Sequence, residues 1–508
     1  MFTGLQQTSS RLELDVSRDA LTTYILVLCG CLVVSVVVLA SGGSLSAGVG
    51  FIGASLVIFL TLYRIDWGTY ILIGSILLFS HFPVPGFDNN PLYRVSYFKN
   101  LKEITYLPYF NAGVLTLFEV HFLFVFAVWF FLFSTTRETR LRPVSLWLPG
   151  GMFFSWFLLS FGYGLSQGGD FMIGLWEYRA LCYLALMFFF IPQIIVTEEQ
   201  VKGFIAACMI GILLKSIDGA WRYYTLDANF GEYEALTEHE DPVFMVTLFI
   251  FVAGLFLFNA KSGLRTLLGL SLPFVATAFW AGNRRAAFAS FLISIPPFIF
   301  LFSRDRLKKF AIRSIPVWVF VALYFVAGWN SHASWAAFAQ QIKSGLTENT
   351  KEAQGDRNYY SNLYRKIEDY NLAVTIQRAP LVGVGAGMKY DQPLELIHIE
   401  FSLRDYMAHN NILWLLIKVG SVGFFLLWFW LDAFAFRAAV LFHKMTDPYL
   451  KAVCAVLVIA VLNQMVAAYF DLHLVRYRTM LYLGSLMALL SPLESIARSR
   501  AGKDAPPA

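Results

Sequence analysis

Residues 410–431 read NNILWLLIKVGSVGFFLLWFWL, and this stretch decides which folds the chain can adopt. It is apolar over the length that a helix needs to cross a hydrocarbon core of about 30 Å, and its one charged residue is Lys418. Comparable runs recur along the 508 residues, of which 57% are hydrophobic and 14% charged, whereas soluble domains carry about 25% charge. The sequence therefore predicts an all-α polytopic membrane protein.

Roughly fourteen runs are long enough to be transmembrane helices. They lie near residues 21–40, 47–63, 69–86, 112–134, 144–165, 175–196, 203–221, 243–260, 266–282, 286–302, 314–330, 410–431, 452–470 and 479–492. This pattern predicts four parts, which are transmembrane helices 1–11 (1–330), a helical loop domain on the outer face (331–408), transmembrane helices 12–14 (409–492) and a cytoplasmic tail (493–508).

Basic residues predict the orientation. Short basic turns, such as residues 304–313, fall on alternate connections together with both termini. Because short cytoplasmic loops carry an excess of Lys and Arg, we expect both termini in the cytoplasm. All five cysteines fall inside predicted helices, so neither a disulfide framework nor a thiolate metal site is expected.

A second set of cations lies at or near the predicted outer face. The excess of Lys and Arg in cytoplasmic loops does not explain cations at that face. The set comprises Arg179, Arg222, Arg284, Arg285, Arg357, Arg365, Arg378 and Arg404. Guanidinium groups bind phosphate oxygens bidentately, so these arginines are a candidate receptor for a phosphate-bearing ligand. Lipid headgroups or neighbouring carboxylates explain any single arginine of the set equally well.

The motif His409-Asn410-Asn411 opens the hydrophobic run quoted above, directly after the longest polar stretch of the chain. A helix start needs one capping group, which either asparagine can supply, so the imidazole is a candidate general base at the water boundary. Glu400 or Asp405 is the predicted partner that orients the ring and raises its basicity. A capped helix beside an interfacial histidine is the structural alternative.

The outer domain is expected to contain an amphipathic helix over 364–377 and a second helix over 393–408. Between them, residues 381–387 read LVGVGAG and form a glycine-rich turn. Gly383 and Gly385 can cradle a phosphate, or they can allow tight packing beneath the next helix.

Other ionisable residues leave alternatives open. His239 lies in an acidic segment whose irregular spacing argues against a metal site, so a solvated acidic loop is expected there. Lys215 and Asp218 are spaced to pair on one helix face. Lys418 is the clearest candidate for a proton-coupled step within a membrane helix, which keeps a transporter as an alternative.

Three elements, in the same order and on the same face, resemble the O-antigen ligase and polymerase superfamily of bacterial inner-membrane glycosyltransferases. The first is the turn GNRRAAF at 282–288, where the doubled arginine departs from the family pattern. The second is Arg365 followed by PLVGVG at 380–385, although an aromatic residue expected soon after that arginine is displaced. The third is His409 with its two asparagines and the glycines that follow.

The resemblance covers roughly residues 280–425 and implies a GT-C-like fold with a periplasmic active site. It implies metal-independent transfer of a glycan from undecaprenyl pyrophosphate to an acceptor sugar hydroxyl. Polymerisation of O-antigen or exopolysaccharide repeats is favoured over ligation to lipid A core. Membrane lipids are expected around the chain, whereas no cofactor and no nucleic acid partner is expected. The predicted catalytic residues are His409, Arg365, Arg285 and Arg284, and the predicted substrate-binding residues are Arg179, Asn410, Asn411, Arg378, Gly383, Gly385 and His239, the last through sugar hydroxyls.

Overall fold

A computed structural model of the chain describes residues 27, 28, 30–39, 43, 45–81, 91–101, 115–135, 140–225, 235–302, 304–331, 333, 336, 339, 340, 343, 357–397 and 403–503. Within these residues the regular secondary structure is helical and no strand occurs, which confirms the predicted all-α class. Two compact units are present, one formed by 1–68 and 99–133 and the other by 69–98 and 134–508.

Most of the described helices follow the predicted hydrophobic runs, whereas Pro91–Arg94 and Arg357–Arg378 lie outside them. The described helices are α1 (Gly30–Leu39), α2 (Leu45–Tyr63), α3 (Ile65–Leu78), α4 (Pro91–Arg94), α5 (Leu117–Thr135), α6 (Trp147–Ser166), α7 (Phe171–Ile194), α8 (Glu198–Thr225), α9 (Asp241–Leu257), α10 (Gly263–Ala281), α11 (Arg285–Phe300), α12 (Arg304–Gly328), α13 (Arg357–Arg378), α14 (Asn411–Lys444), α15 (Pro448–Phe470), α16 (Tyr477–Ala488) and α17 (Leu490–Lys503).

Seven helical stretches among the described residues are long and apolar enough to cross a membrane. They are α5, α7, α8, α10, α14, α15 and Tyr477–Arg500. Shorter apolar helices, such as α9 and α11, lie on other predicted runs. This composition supports a membrane protein, while the count of fourteen spans stays a prediction.

The first unit shows why Glu119 is tolerated in an apolar run. Its carboxylate accepts the main-chain N–H of Thr116 at 2.7 Å, and the Thr116 hydroxyl accepts the N–H of Glu119 at 3.3 Å. This reciprocal arrangement is a capping box at the start of α5. The acid therefore stabilises a helix end.

The second unit is a bundle in which α14 and α15 pack together, α15 contacts α9 and α11, and α7 packs against α16. Aromatic rings fill the space between helices. Trp430 of α14 is fully buried, and its ring lies edge-on to Phe188 at 4.9 Å and to Phe154 at 5.5 Å. Such pairs add to the stabilisation from burial and fix the distance between α14, α6 and α7.

A break in α14 receives the glycine-rich turn. Gly420 has φ 67° and ψ −179°, which interrupts the helical hydrogen bonding. The N–H of Val384 donates to the carbonyl of Ile417 at 2.7 Å, and the N–H of Gly385 donates to that of Lys418 at 3.1 Å. The turn therefore satisfies backbone groups that the break would otherwise leave buried without partners.

A buried ion pair holds the same junction. Lys418 Nζ lies 2.6 Å from a carboxylate oxygen of Glu177, both side chains are fully buried, and Nζ also donates to the carbonyl of Met388 at 2.6 Å. The other oxygen of Glu177 accepts the N–H of Gly387 at 2.7 Å. Lys418 thus joins α14 to α7 and to the segment that contains Gly387 and Met388, which gives it a structural explanation.

In the second unit, the connections between helices lie at two ends of the bundle, and contacts between connections identify which of them share an end. At one end the Ser145 hydroxyl donates to Glu494 at 2.8 Å, and Lys202 bridges to Asp447 at 3.9 Å. At the other end the segment 379–388 reaches the α6–α7 connection, where the N–H of Asp170 donates to Gly387 at 3.0 Å. This alternation agrees with the predicted topology, and the assignment of one end to the cytoplasm stays a prediction.

The predicted helix over 393–408 is wrong, because the described residues 393–397 and 403–408 contain no helix. Polar side chains of α13 explain the difference. The Asn371 amide donates to the carbonyl of Leu394 at 2.8 Å and accepts the N–H of Leu394 at 3.1 Å. The backbone of this segment therefore bonds across to α13 rather than along a helix of its own.

The acidic segment before α9 was expected to be solvated, but its described carboxylates Glu238, Glu240 and Asp241 are buried. Arg478 of α16, also fully buried, lies 2.8 Å from Asp241 and forms a short ion pair with Glu238. Lys215 bridges to Asp241 at 3.7 Å, and Asp218 pairs with Arg222. These pairs anchor the segment against the bundle.

Candidate active site

The carboxylate beside His409 comes from α13. Nδ1 of His409 lies 3.2 Å from Oε1 of Glu368, and the main-chain N–H of His409 donates to Oε2 at 2.9 Å. The Glu368 side chain is 1% exposed and that of His409 is 24% exposed. A carboxylate that accepts Nδ1–H fixes the ring and makes Nε2 the nitrogen that can take a proton.

Neither predicted partner of the imidazole has that position. Asp405 accepts a hydrogen bond from Lys389 at 2.8 Å, and this bond is the main reason why the pKa of Asp405 is lowered. Glu400 lies outside the described residues. The imidazole does have a carboxylate partner, as predicted, but the partner is Glu368, which precedes His409 by 41 positions.

The two asparagines have distinct structural roles. Asn410 caps α14, since its side-chain oxygen accepts the N–H of Leu413 at 3.2 Å. Asn411 is fully buried, donates to the carbonyl of Ala408 at 2.8 Å and accepts the N–H of Leu474 at 2.7 Å. Neither role uses the imidazole. Substrate contacts by the asparagines stay a prediction.

Arg284 and Arg285 point to different partners. The turn between α10 and α11 contains Asn283 in the left-handed region, with φ 46°, and α11 begins at Arg285. Arg285 Nη1 donates to the side-chain oxygen of Asn362 on α13 at 3.0 Å. Arg284 Nη2 lies 3.0 Å from Nε2 of His239. Consecutive residues at a helix start thus extend the guanidinium groups towards two separate elements.

His239 connects Arg284 to an acid that the sequence had not indicated. Nδ1 of His239 lies 2.7 Å from Oδ2 of Asp471. Burial raises the pKa of Asp471, but its contact with His239 and the charge of Arg476 lower it further, so that it lies well below 3.8. The ionised carboxylate accepts Nδ1–H, and Nε2 is then the acceptor for a guanidinium N–H of Arg284. The described contacts give His239 a role in positioning Arg284.

Arg365 lies on α13 between the residues that contact Arg285 and His409. It is three positions after Asn362 and three before Glu368, so the three side chains are neighbours on the helix surface. Burial raises the pKa of Asp369, one turn further on, while Asn410 and Arg365 oppose that rise. Helix α13 therefore gathers Arg285, Arg365 and His409 at one end of the bundle.

Arg179 contributes a cation from α7. Its Nε donates to the Tyr183 hydroxyl at 2.6 Å, and its guanidinium carbon lies 5.2 Å from the centre of the Tyr477 ring. The connection 471–476 adds Arg476, which the sequence had not singled out. Burial raises the pKa of Glu240, but Arg476 and Arg478 lower it to about 2.

Three predicted binding residues are engaged elsewhere. Arg378 is exposed and pairs with Asp391 at 2.6 Å. The N–H groups of Gly383 and Gly385 donate to Ala379 and Lys418 carbonyls. A Cβ on Gly383 would lie 2.6 Å from the nitrogen of Gly420, so this glycine is needed for a close backbone approach. The geometry supports the packing alternative for the turn.

Comparison with family models matches residues 246–428 to the family described as O-antigen ligase. No curated protein matches the chain. The matched region runs from α9 into α14 and includes Arg284, Arg285, Arg365 and His409. This match supports the O-antigen ligase and polymerase superfamily for residues 246–428.

Proposed function

We propose that the chain is an inner-membrane glycosyltransferase that moves a glycan from undecaprenyl pyrophosphate to an acceptor sugar hydroxyl at the periplasmic face. The observation that carries the proposal is the His409–Glu368 pair, because it couples an imidazole to a buried carboxylate on the helix that also bears Arg365. A base beside phosphate-binding cations is what this transfer requires.

In the proposed step, Nε2 of His409 takes the proton of the acceptor hydroxyl. The hydroxyl oxygen forms the new bond to the anomeric carbon of the donor glycan, and the bond from that carbon to the pyrophosphate oxygen breaks. The electron pair leaves with the carrier pyrophosphate. Glu368 stabilises the imidazolium that results, as a carboxylate partner does for a histidine base.

Arg365, Arg285 and Arg284 are the proposed pyrophosphate ligands, with Arg179 as a further contact at the entrance of α7. Guanidinium groups offset the charge that develops on the leaving group, which allows transfer without a metal. Arg285 contacts the amide of Asn362, and Arg284 contacts the imidazole of His239. Such contacts position the two guanidinium groups.

We favour a polymerase of O-antigen or exopolysaccharide repeats over a ligase, because the outer domain is large and the turn at 282–288 carries two arginines. Glycan profiling of a deletion strain separates the two. Loss of long chains on every carrier indicates a polymerase, whereas long chains that accumulate on the lipid carrier indicate a ligase. The transporter alternative gains no support, since Lys418 is held in a buried pair.

The direct test is transfer by purified protein supplied with a lipid-linked glycan donor, with and without a chelator. Release of carrier pyrophosphate and elongation of glycan are measured for His409→Ala and Arg365→Ala. The matched controls are His443→Ala and Arg265→Ala, both at the opposite end of the bundle. We expect loss of transfer in the first pair, normal transfer in the controls and no effect of the chelator. Normal transfer by both site variants would remove the proposal.

A further inference from the structure

Two adjoining cavities lie at the end of the bundle opposite His409, between the start of α6, the end of α14 and α17. Their volumes are about 920 and 650 Å³. Both are lined by Arg437, Glu494 and Arg498, which form the wall between them. Neither cavity contains a residue of the proposed active site.

The linings are strongly basic. Arg142 adds to the larger cavity, and Lys444 and Arg500 add to the smaller one. Among the described residues of the linings, the one carboxylate is Glu494, which lies 2.7 Å from Arg437 and 3.8 Å from Arg498. Arg500 is also paired with Glu198, which lies outside the lining, at 2.5 Å. Glu494 is then the carboxylate that faces Arg142, Arg437, Arg498 and Lys444, so the cavities favour an anion.

The larger cavity is also prepared for a polar ligand. The backbone of Arg142 is held by Gln193, whose side chain accepts the Arg142 N–H at 2.9 Å and donates to its carbonyl at 3.1 Å. Ser495 adds an exposed hydroxyl to the same lining. A fixed backbone beneath an arginine reduces the entropy lost when a phosphate binds.

Exposed apolar side chains border the same cavities. Trp147, at the start of α6, is 60% exposed, and Phe436 of α14 is 70% exposed. Tryptophan is typical of the interface between headgroups and hydrocarbon. A ligand that satisfies both the basic walls and these apolar borders carries a phosphate and an acyl chain.

We propose that the cavities lined by Arg142, Arg437 and Arg498 bind the headgroup of an anionic phospholipid. The phosphodiester contacts the guanidinium groups, and the acyl chains lie along Trp147 and Phe436. Basic pockets between membrane helices at the cytoplasmic surface bind such headgroups in general. The site lies at the end to which the distribution of Lys and Arg assigns the cytoplasm.

The test is a titration of full-length protein in detergent with short-chain phosphatidylglycerol, with bound lipid counted by native mass spectrometry. Phosphatidylcholine and inorganic phosphate are titrated in parallel. The variant is Arg142→Gln combined with Arg498→Gln, and the matched control is Arg265→Gln, on the same end but outside both cavities. We expect affinity for phosphatidylglycerol to fall about fivefold per arginine and about 25-fold in the double variant.

Wild-type protein measured at low and high salt provides a second readout that needs no variant, and binding of phosphatidylglycerol is expected to weaken with salt. Equal binding of phosphatidylcholine, or unchanged affinity in a folded double variant, would overturn the proposal. An affinity for inorganic phosphate equal to that for phosphatidylglycerol would assign the cavities to a soluble anion instead. Glycan transfer by the double variant is expected to persist, which separates this proposal from that for the active site.

Discussion

Replacement of Glu368 by glutamine is the sharpest perturbation of the proposed base. Two donors of His409, the main-chain N–H and Nδ1–H, face the two oxygens of Glu368 at 2.9 and 3.2 Å. Glutamine offers one oxygen and one NH₂ group, so one donor loses its acceptor. If the oxygen keeps the main-chain bond, the NH₂ group faces Nδ1, and the ring proton moves to Nε2.

In that tautomer Nε2 cannot take the proton of the acceptor hydroxyl. A positioned general base contributes about 10²- to 10⁴-fold to a rate, so Glu368→Gln is expected to lower kcat by that factor, or about 3–5 kcal/mol in barrier height. KM for the lipid-linked donor is expected to stay within about threefold, because the arginines proposed to bind the pyrophosphate are unchanged.

The assay is steady-state transfer by purified protein, with melting temperature as the check on folding. Asp405→Asn is the matched control, since it makes the same change at the acid that the sequence had suggested and that the structure places with Lys389. A folded Glu368→Gln protein with the kcat of the wild type would refute the tautomer argument.

Three further perturbations follow from the same contacts. His239→Ala removes the acceptor that positions Arg284, so KM for the donor is expected to rise about tenfold with little change in kcat; an unchanged KM would separate Arg284 from donor binding. Gly383→Ala places a Cβ 2.6 Å from backbone atoms at φ 80° and is expected to cost about 3 kcal/mol or more of stability, seen as a lower melting temperature. The control change Gly162→Ala, inside α6, meets no neighbouring atom within 4 Å and is expected to leave stability unchanged or to raise it by up to about 1 kcal/mol, and equal losses would contradict the packing account. Burial lowers the pKa of His473 from 6.5 to about 4, so below pH 6.5 the unfolded chain binds a proton that the folded chain does not. The free energy of unfolding is therefore expected to fall by about 3 kcal/mol between pH 6.5 and 4, and His473→Gln is expected to remove this part of the pH dependence in thermal melts.

The helices were predictable because their signal is local. Hydropathy placed the start of the helix after His409 within one residue of its position, and the turn at 282–284 separates two helices as expected. The amphipathic helix predicted over 364–377 lies within α13, which begins seven residues earlier, at Arg357. Periodicity along a single segment carries this information without any knowledge of its neighbours.

The partners of the site residues were not predictable in the same way. Glu368 is 41 positions from His409, and Asp471 is 232 positions from His239. The packing of whole helices determines such pairs, and the sequence around one residue does not identify its partner. The sequence did contain one indication that α13 buries a polar face, because Tyr364, Glu368 and Asn371 recur at helical spacing. All three are buried. A carboxylate on such a face requires a partner.

The partners of charged residues within the apolar helices were also not predictable from the sequence. Lys418 is paired with Glu177 of α7, which lies far from it in the sequence. Lys215 reaches Asp241 on α9, although Asp218 is closer along its own helix. Helical spacing predicts which side chains can meet on one surface, but the nearest opposite charge on a packed helix decides which pairs form.

The measurement that bears most directly on the site is an experimental structure with a bound lipid-linked pyrophosphate donor. The pyrophosphate is expected to lie against Arg365 and the arginines at the start of α11, with the sugar linkage facing His409. A donor bound at the opposite end of the bundle, or one whose phosphates touch none of these arginines, would contradict the account.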